Sequence, residues 1–68
     1  MSKTRKAIVE FARANVYWYV HQHDQEATEK VNKLERKAKA LVDLFGKQEE
    51  QVAFHQANWR TMYMEPAS

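Results

Sequence analysis

His21-Gln22-His23-Asp24-Gln25 is the stretch on which the architecture turns. It is polar from end to end, contains neither glycine nor proline, and joins two long segments of helical patterning. If helix runs through it, residues 3–45 form one rod of about 43 residues and about 65 Å. A third segment of about 18 residues cannot cover such a rod, so the overhang needs a second chain. If the helix breaks here, Asp24 is the residue that breaks it, as an N-cap whose carboxylate accepts from the next turn. The charge order favours a start at this point. Asp24, Glu26 and Glu29 come first and Lys33, Arg36, Lys37 and Lys39 follow, as a helix dipole beginning near Asp24 prefers. The broken chain gives segments of about 25–32 Å that match well enough for a compact bundle.

Working outward, residues 3–21 place Lys3, Lys6, Glu10, Arg13 and His21 on one narrow face. Ile8, Val9, Phe11, Ala12, Val16, Trp18, Tyr19 and Val20 occupy the remaining two-thirds of the circumference, more than a surface helix needs. Such a helix calls for neighbours on two sides. Residues 25–45 carry Ala27, Val31, Leu34, Ala38, Leu41 and Phe45 in alternating steps of four and three, a heptad-like seam. Val42 lies beside the seam. Residues 48–64 show two stripes, Val52/Trp59/Tyr63 and Ala53/Ala57/Met64. The candidate core or dimer seam is therefore Val31, Leu34, Ala38, Leu41, Phe45, Val52, Trp59 and Tyr63.

Gly46 is the only glycine, and the only proline is Pro66. That is too little punctuation for strands and tight turns. Gly46 reads as the C′ residue closing the second helix, the position where a left-handed backbone is cheapest for glycine. Val42, Phe45, Gly46 and Val52 also match part of a DNA-binding helix-turn-helix, but Lys47 and His55 do not. The helix after the turn opens on Glu49 and Glu50, the wrong sign for phosphates. A helical hairpin turn is the simpler reading. Val16-Tyr17-Trp18-Tyr19-Val20 has strand propensity, yet its flanks form helices and no hairpin turn is present.

Composition narrows the function. The 68 residues make one small domain, which is marginal alone, and the absence of cysteine removes disulfides and thiolate chemistry. A cytoplasmic setting fits. No signal peptide or membrane span is visible. The net charge of +2 does not by itself imply nucleic acid. No catalytic motif is present and no cofactor is expected: there is no glycine-rich phosphate loop, and both serines, Ser2 and Ser68, are terminal. His21 and His23 are two apart on a helix and point about 200° from each other, so they do not chelate together. His55 reads as an interfacial polar residue.

Lys30, Lys33 and Lys37 share a flank of the second segment. Glu26–Lys30, Glu29–Lys33 and Glu35–Lys39 are spaced for i,i+4 ion pairs that make the flank a solvated one. Lys3, Arg5 and Lys6 crowd the positive end of a helix dipole, so that turn either frays or finds an anion. With Arg13, Tyr17 and Trp18 they form the candidate partner surface. The expectation is an all-α protein, an antiparallel helical hairpin or three-helix mini-bundle turning at Gly46 and homodimeric. It would act as a non-enzymatic regulatory or accessory interaction module, in the style of those that mobile elements carry. Its expected partners are a second copy and another protein, with a nucleic-acid-binding regulator as the alternative.

Overall fold

The computed structural model describes residues 2–59. Three helices follow one another: α1 (Lys3–Val20), α2 (Gln25–Phe45) and α3 (Gln48–Ala57). There is no strand among the described residues, and Val16–Val20 is helical. The polar stretch is a true break. The His21 N–H closes α1 onto the Trp18 and Tyr17 carbonyls, and the Asp24 N–H donates to the His21 carbonyl at 2.9 Å. Asp24 then caps α2, its carboxylate accepting from the Glu26 N–H at 2.9 Å. No residue in the turn needs a positive φ, which is why the chain reverses here without glycine.

α1 and α2 lie antiparallel, and α3 returns alongside α1 in the same direction. Glu50 meets Ser2 at one end, Phe54 stacks on Phe11 at 5.5 Å in the middle, and the Ala57 carbonyl meets Asn15 further along. The core consists of Ala7, Ile8, Phe11 and Trp18 from α1, Val31, Ala38 and Val42 from α2, and Ala57 from α3. The alanines let the backbones approach closely. The Cα envelope measures 33 × 28 × 15 Å. With the Cα atoms of a helix about 4.6 Å across, a thickness of 15 Å is that of two packed helix layers, as in a three-helix bundle.

The seam of α2 is only partly the core. Val31 and Ala38 are fully buried, whereas Leu34 and Leu41 are half-buried and Val42 takes the place expected of Phe45. Phe45 is 69% exposed, a correction to its place in a core within the chain. The cause is length. α2 has 21 residues against 18 in α1, so its last turn passes the point where α1 begins. Val52 is likewise exposed, because α3 turns Glu50, Ala53, Phe54 and Ala57 inward and leaves Val52 on its outer side. α3 ends at Ala57, earlier than the sequence pattern suggests, with the Asn58 N–H donating to the Phe54 and His55 carbonyls. Trp59 is therefore off the helical stripe, half-buried, with its ring edge-on to Tyr19 at 5.5 Å. Tyr63 and Met64 lie outside the described residues.

Gly46 also differs from expectation. It is the C-cap of α2, at φ −71° and ψ 131°, in extended rather than left-handed backbone. What the position requires is space: a Cβ there would lie 2.5 Å from the Val42 carbonyl oxygen and 2.9 Å from the Val42 Cα. At an unstrained φ, glycine-to-alanine changes stabilise a protein by roughly 0.4–1 kcal/mol through the unfolded chain. Here the contact reverses the sign. Gly46→Ala is expected to cost about 1–3 kcal/mol, as overpacking does, and to lower the melting temperature followed by circular dichroism. An unchanged or raised melting temperature defeats the close-contact explanation.

Candidate protein-binding surfaces

The basic N-terminus finds its anion inside the chain. Ser2 caps α1 by accepting from the Arg5 N–H at 3.1 Å, and its hydroxyl donates to Glu50 Oε2, also at 3.1 Å. Glu50 Oε1 accepts from the Lys47 N–H at 3.0 Å, the return half of a capping box at the start of α3. One carboxylate thus serves two helix N-termini. The Arg5 guanidinium lies 3.3 Å from Glu49 Oε2 in an exposed pair. Glu49 and Glu50, which count against a phosphate-reading helix, are the groups that meet Arg5 and the Ser2 cap at the start of α1.

The Glu50 carboxyl is held below its ordinary range, first by the Lys47 N–H hydrogen bond, against burial, and then by the Ser2 hydroxyl and the Arg5 and Lys47 charges. A carboxyl with a lowered folded pKa stabilises the fold above its unfolded pKa, and that contribution is lost as pH falls through the folded value. Glu50→Gln keeps an acceptor oxygen and removes the charge. The variant should melt lower at pH 7, and the gap to wild type should narrow below about pH 4. Thermal melts across that range check it, and a constant gap contradicts it.

Beside this junction an open groove is floored by Leu41, Phe45 and Val52 and rimmed by Lys3, Arg5, Lys47 and Glu49. Leu44, 74% exposed, stands next to Phe45. A second cleft runs between α1 and α2 and is lined by Arg13, Tyr17 and Lys30 together with Glu10, Asp24 and Glu26. A third feature is the outer face of α1, where Val9, Val16 and Val20 are exposed at i, i+7 and i+11, on the side opposite Phe11 and Trp18. α1 has the two neighbours its broad apolar arc calls for, α2 and α3, and still leaves these three valines exposed.

Among the candidate partner residues, Lys3, Arg5, Lys6, Arg13 and Tyr17 are exposed. Trp18 is not: at 7% exposure it belongs to the core, because it sits about two turns beyond Phe11 on the same, buried side. Tyr17 lays its ring on the His21 imidazole, 4.2 Å between centroids. The bases do not form one basic patch, since Arg5 is engaged by Glu49 and the Arg13–Lys30 cleft carries three acids. Lys30, Lys33 and Lys37 are exposed, with no carboxylate within 4 Å among the described residues, and Lys39 pairs with Asp43 at 3.1 Å. No group of three metal-ligating side chains occurs among the described residues, and no helix of the described residues is long and apolar enough to cross a membrane.

Sequence reasoning missed Asn15, which is fully buried and donates from Nδ2 to the Ala57 carbonyl at 2.8 Å. Its one signal was a polar residue interrupting the apolar arc of α1. Comparison with protein-family models, curated proteins and solved structures finds no match for the chain.

Proposed function

We propose that the chain is a small non-enzymatic protein–protein interaction module, homodimeric and regulatory, that modulates a partner protein. The observation that carries this reading is the set of large apolar side chains left exposed around one groove: Leu44 at 74%, Phe45 at 69% and Val52 at 51%. The Leu41/Phe45/Val52 groove has an apolar floor and a rim of mixed charge, the anatomy of a protein interface. Phe45 is the anchor: a large aromatic, exposed at the end of a rigid helix. The test is an affinity purification with the tagged chain and with Phe45→Asp, both checked for native helicity. Wild type should retain a stoichiometric protein at about 0.5 M salt, where surface charge is screened, and Phe45→Asp should lose it. Equal retention by both proteins refutes the groove as the binding site.

Lys30, Lys33 and Lys37, exposed and with no carboxylate within 4 Å among the described residues, favour one second reading, a nucleic-acid-binding regulator. It requires a mobility shift of DNA or RNA at about 50 mM salt that fades steeply as salt rises. An unchanged mobility there removes it.

A further inference from the structure

We infer that the segment of the partner protein that fills the Leu41/Phe45/Val52 groove is acidic, with apolar side chains on the floor and a carboxylate seated over Thr4, between the first turns of α1 and α3. This inference rests on the groove reading and names the chemistry of what the groove takes. Three bases border the groove, Lys3, Arg5 and Lys47, and two acids, Glu49 and Glu50. Both acids are engaged. Glu49 meets Arg5 at 3.3 Å, and Glu50 accepts from the Ser2 hydroxyl and the Lys47 N–H. Neither Lys3 nor Lys47 has a carboxylate within 4 Å among the described residues. The charge left uncompensated at the groove is therefore positive.

The backbone adds to it. α1 and α3 run in the same direction, so their first turns open at the same end of the molecule. The Ser2 hydroxyl takes the Arg5 N–H, which leaves those of Lys3 and Thr4 without a helical acceptor. The Lys47 carbonyl takes the Glu50 and Gln51 N–H groups, which leaves those of Gln48 and Glu49. Two helix N-termini side by side favour an anion. Thr4 is the independent sign that one is received there. It is 4% exposed, it lines the groove, and its hydroxyl makes no hydrogen bond among the described residues. A buried hydroxyl without a partner is costly, and a carboxylate oxygen arriving from the groove accepts from it.

The surroundings decide the source of that anion. A free anion makes no use of the apolar floor. Glu49, whose side chain is 83% exposed, repels a phosphate-dense surface such as nucleic acid or an anionic bilayer more than it repels one carboxylate beside a lysine. A protein segment with apolar anchors and flanking acids satisfies both floor and rim. Rim charges act mainly on association rate and selectivity, while the floor holds at high salt.

Two fluorescein-labelled helical peptides of about four turns test this with the full chain. One carries Leu and Phe along one face with glutamates on both flanks, and the other has lysines in place of the glutamates. By fluorescence anisotropy at about 50 mM salt, wild type should bind the acidic peptide at least tenfold more tightly. The preference should shrink as salt rises to about 0.5 M. Lys3→Glu with Lys47→Glu, both at exposed positions, should invert the preference with helicity unchanged. Thr4→Val keeps the shape, removes the hydroxyl, and should weaken the acidic peptide severalfold while leaving the basic one unmoved. Equal binding of the two peptides by wild type, or an acidic preference that survives the double reversal, overturns the inference. If neither peptide binds while the tagged chain still captures a protein through Phe45, the acidic chemistry is wrong and the groove reading stands. If Phe45→Asp alters neither peptide binding nor capture, the groove itself is lost. Binding to vesicles of phosphatidylcholine with about 30% phosphatidylserine, abolished by the double reversal and with neither peptide bound, makes a lipid surface the occupant and overturns the inference as well.

Discussion

Phe11→Ala should leave the chain without a cooperative thermal transition and with most of its helical circular dichroism lost at room temperature. Phe11 is the largest side chain that is wholly inaccessible, and its ring is the one that α3 stacks upon through Phe54. Truncating a buried phenylalanine costs about 3–5 kcal/mol, as lost transfer free energy plus a cavity that the surroundings only partly fill. A single-core domain of this length has about 3–5 kcal/mol in total. The substitution therefore removes as much as the fold has. Loss of the Phe54 contact also frees α3, whose ten residues are too few to stay helical alone. Phe11→Leu is the control: it keeps most of the volume and should melt cooperatively at a lower temperature. A sharp transition for Phe11→Ala within about 8 °C of wild type, equivalent to roughly 1–2 kcal/mol, contradicts the central place given to this ring.

Much of this core was legible from residue order alone, for reasons the structure makes plain. Asp24 was readable as a helix start because capping is local: a carboxylate two residues before the amide it binds needs no tertiary information. The two apolar sides of α1 were readable because helical periodicity fixes which residues share a face. Phe45 was misplaced for a different reason. Periodicity gives an angle around a helix and says nothing about whether a neighbour extends that far, and α1 starts too late to cover the last turn of α2. Gly46 was identified as a helix terminus, but its reason lay in a 2.5 Å approach that only three-dimensional placement reveals. The candidate surfaces follow the same division. Lys3, Arg5 and Lys6 were read as a turn that either frays or finds an anion, and Arg5 finds one in Glu49. That Glu49 meets Arg5 and Glu50 meets Ser2 depends on α3 running parallel to α1, a fact of topology.

Asn15 is where topology and chemistry meet most closely, and it carries the second large effect. Its Nδ2 donates to the Ala57 carbonyl across 2.8 Å inside a fully buried setting, locking the end of α3 to the middle of α1. Asn15→Asp exchanges the amide NH2 for an oxygen and leaves the volume almost unchanged. At neutral pH the introduced carboxylate has no proton to give, so two oxygens face each other where a donor and an acceptor now meet. Burying an unpaired charge costs about 3–5 kcal/mol, comparable with the whole stability of such a domain. The protein should be largely unfolded at pH 7. The sign of its pH dependence is the telling part. Burial beside a carbonyl raises the folded pKa of the new carboxyl above its unfolded value, so the penalty is absent below the unfolded pKa and grows as pH rises above it. In the protonated form the carboxyl has an O–H to offer the Ala57 carbonyl. Helicity should therefore return as pH is lowered towards about 4, against the trend of the wild-type protein, whose Glu50 contribution fades in that direction. Circular dichroism of the two proteins between about pH 3 and pH 7 separates the cases. If Asn15→Asp is as stable as wild type at pH 7, the side chain is reaching water and the lock between α1 and α3 is not there. If it is unstable and acid does not restore it, the fault lies in packing rather than in the hydrogen bond.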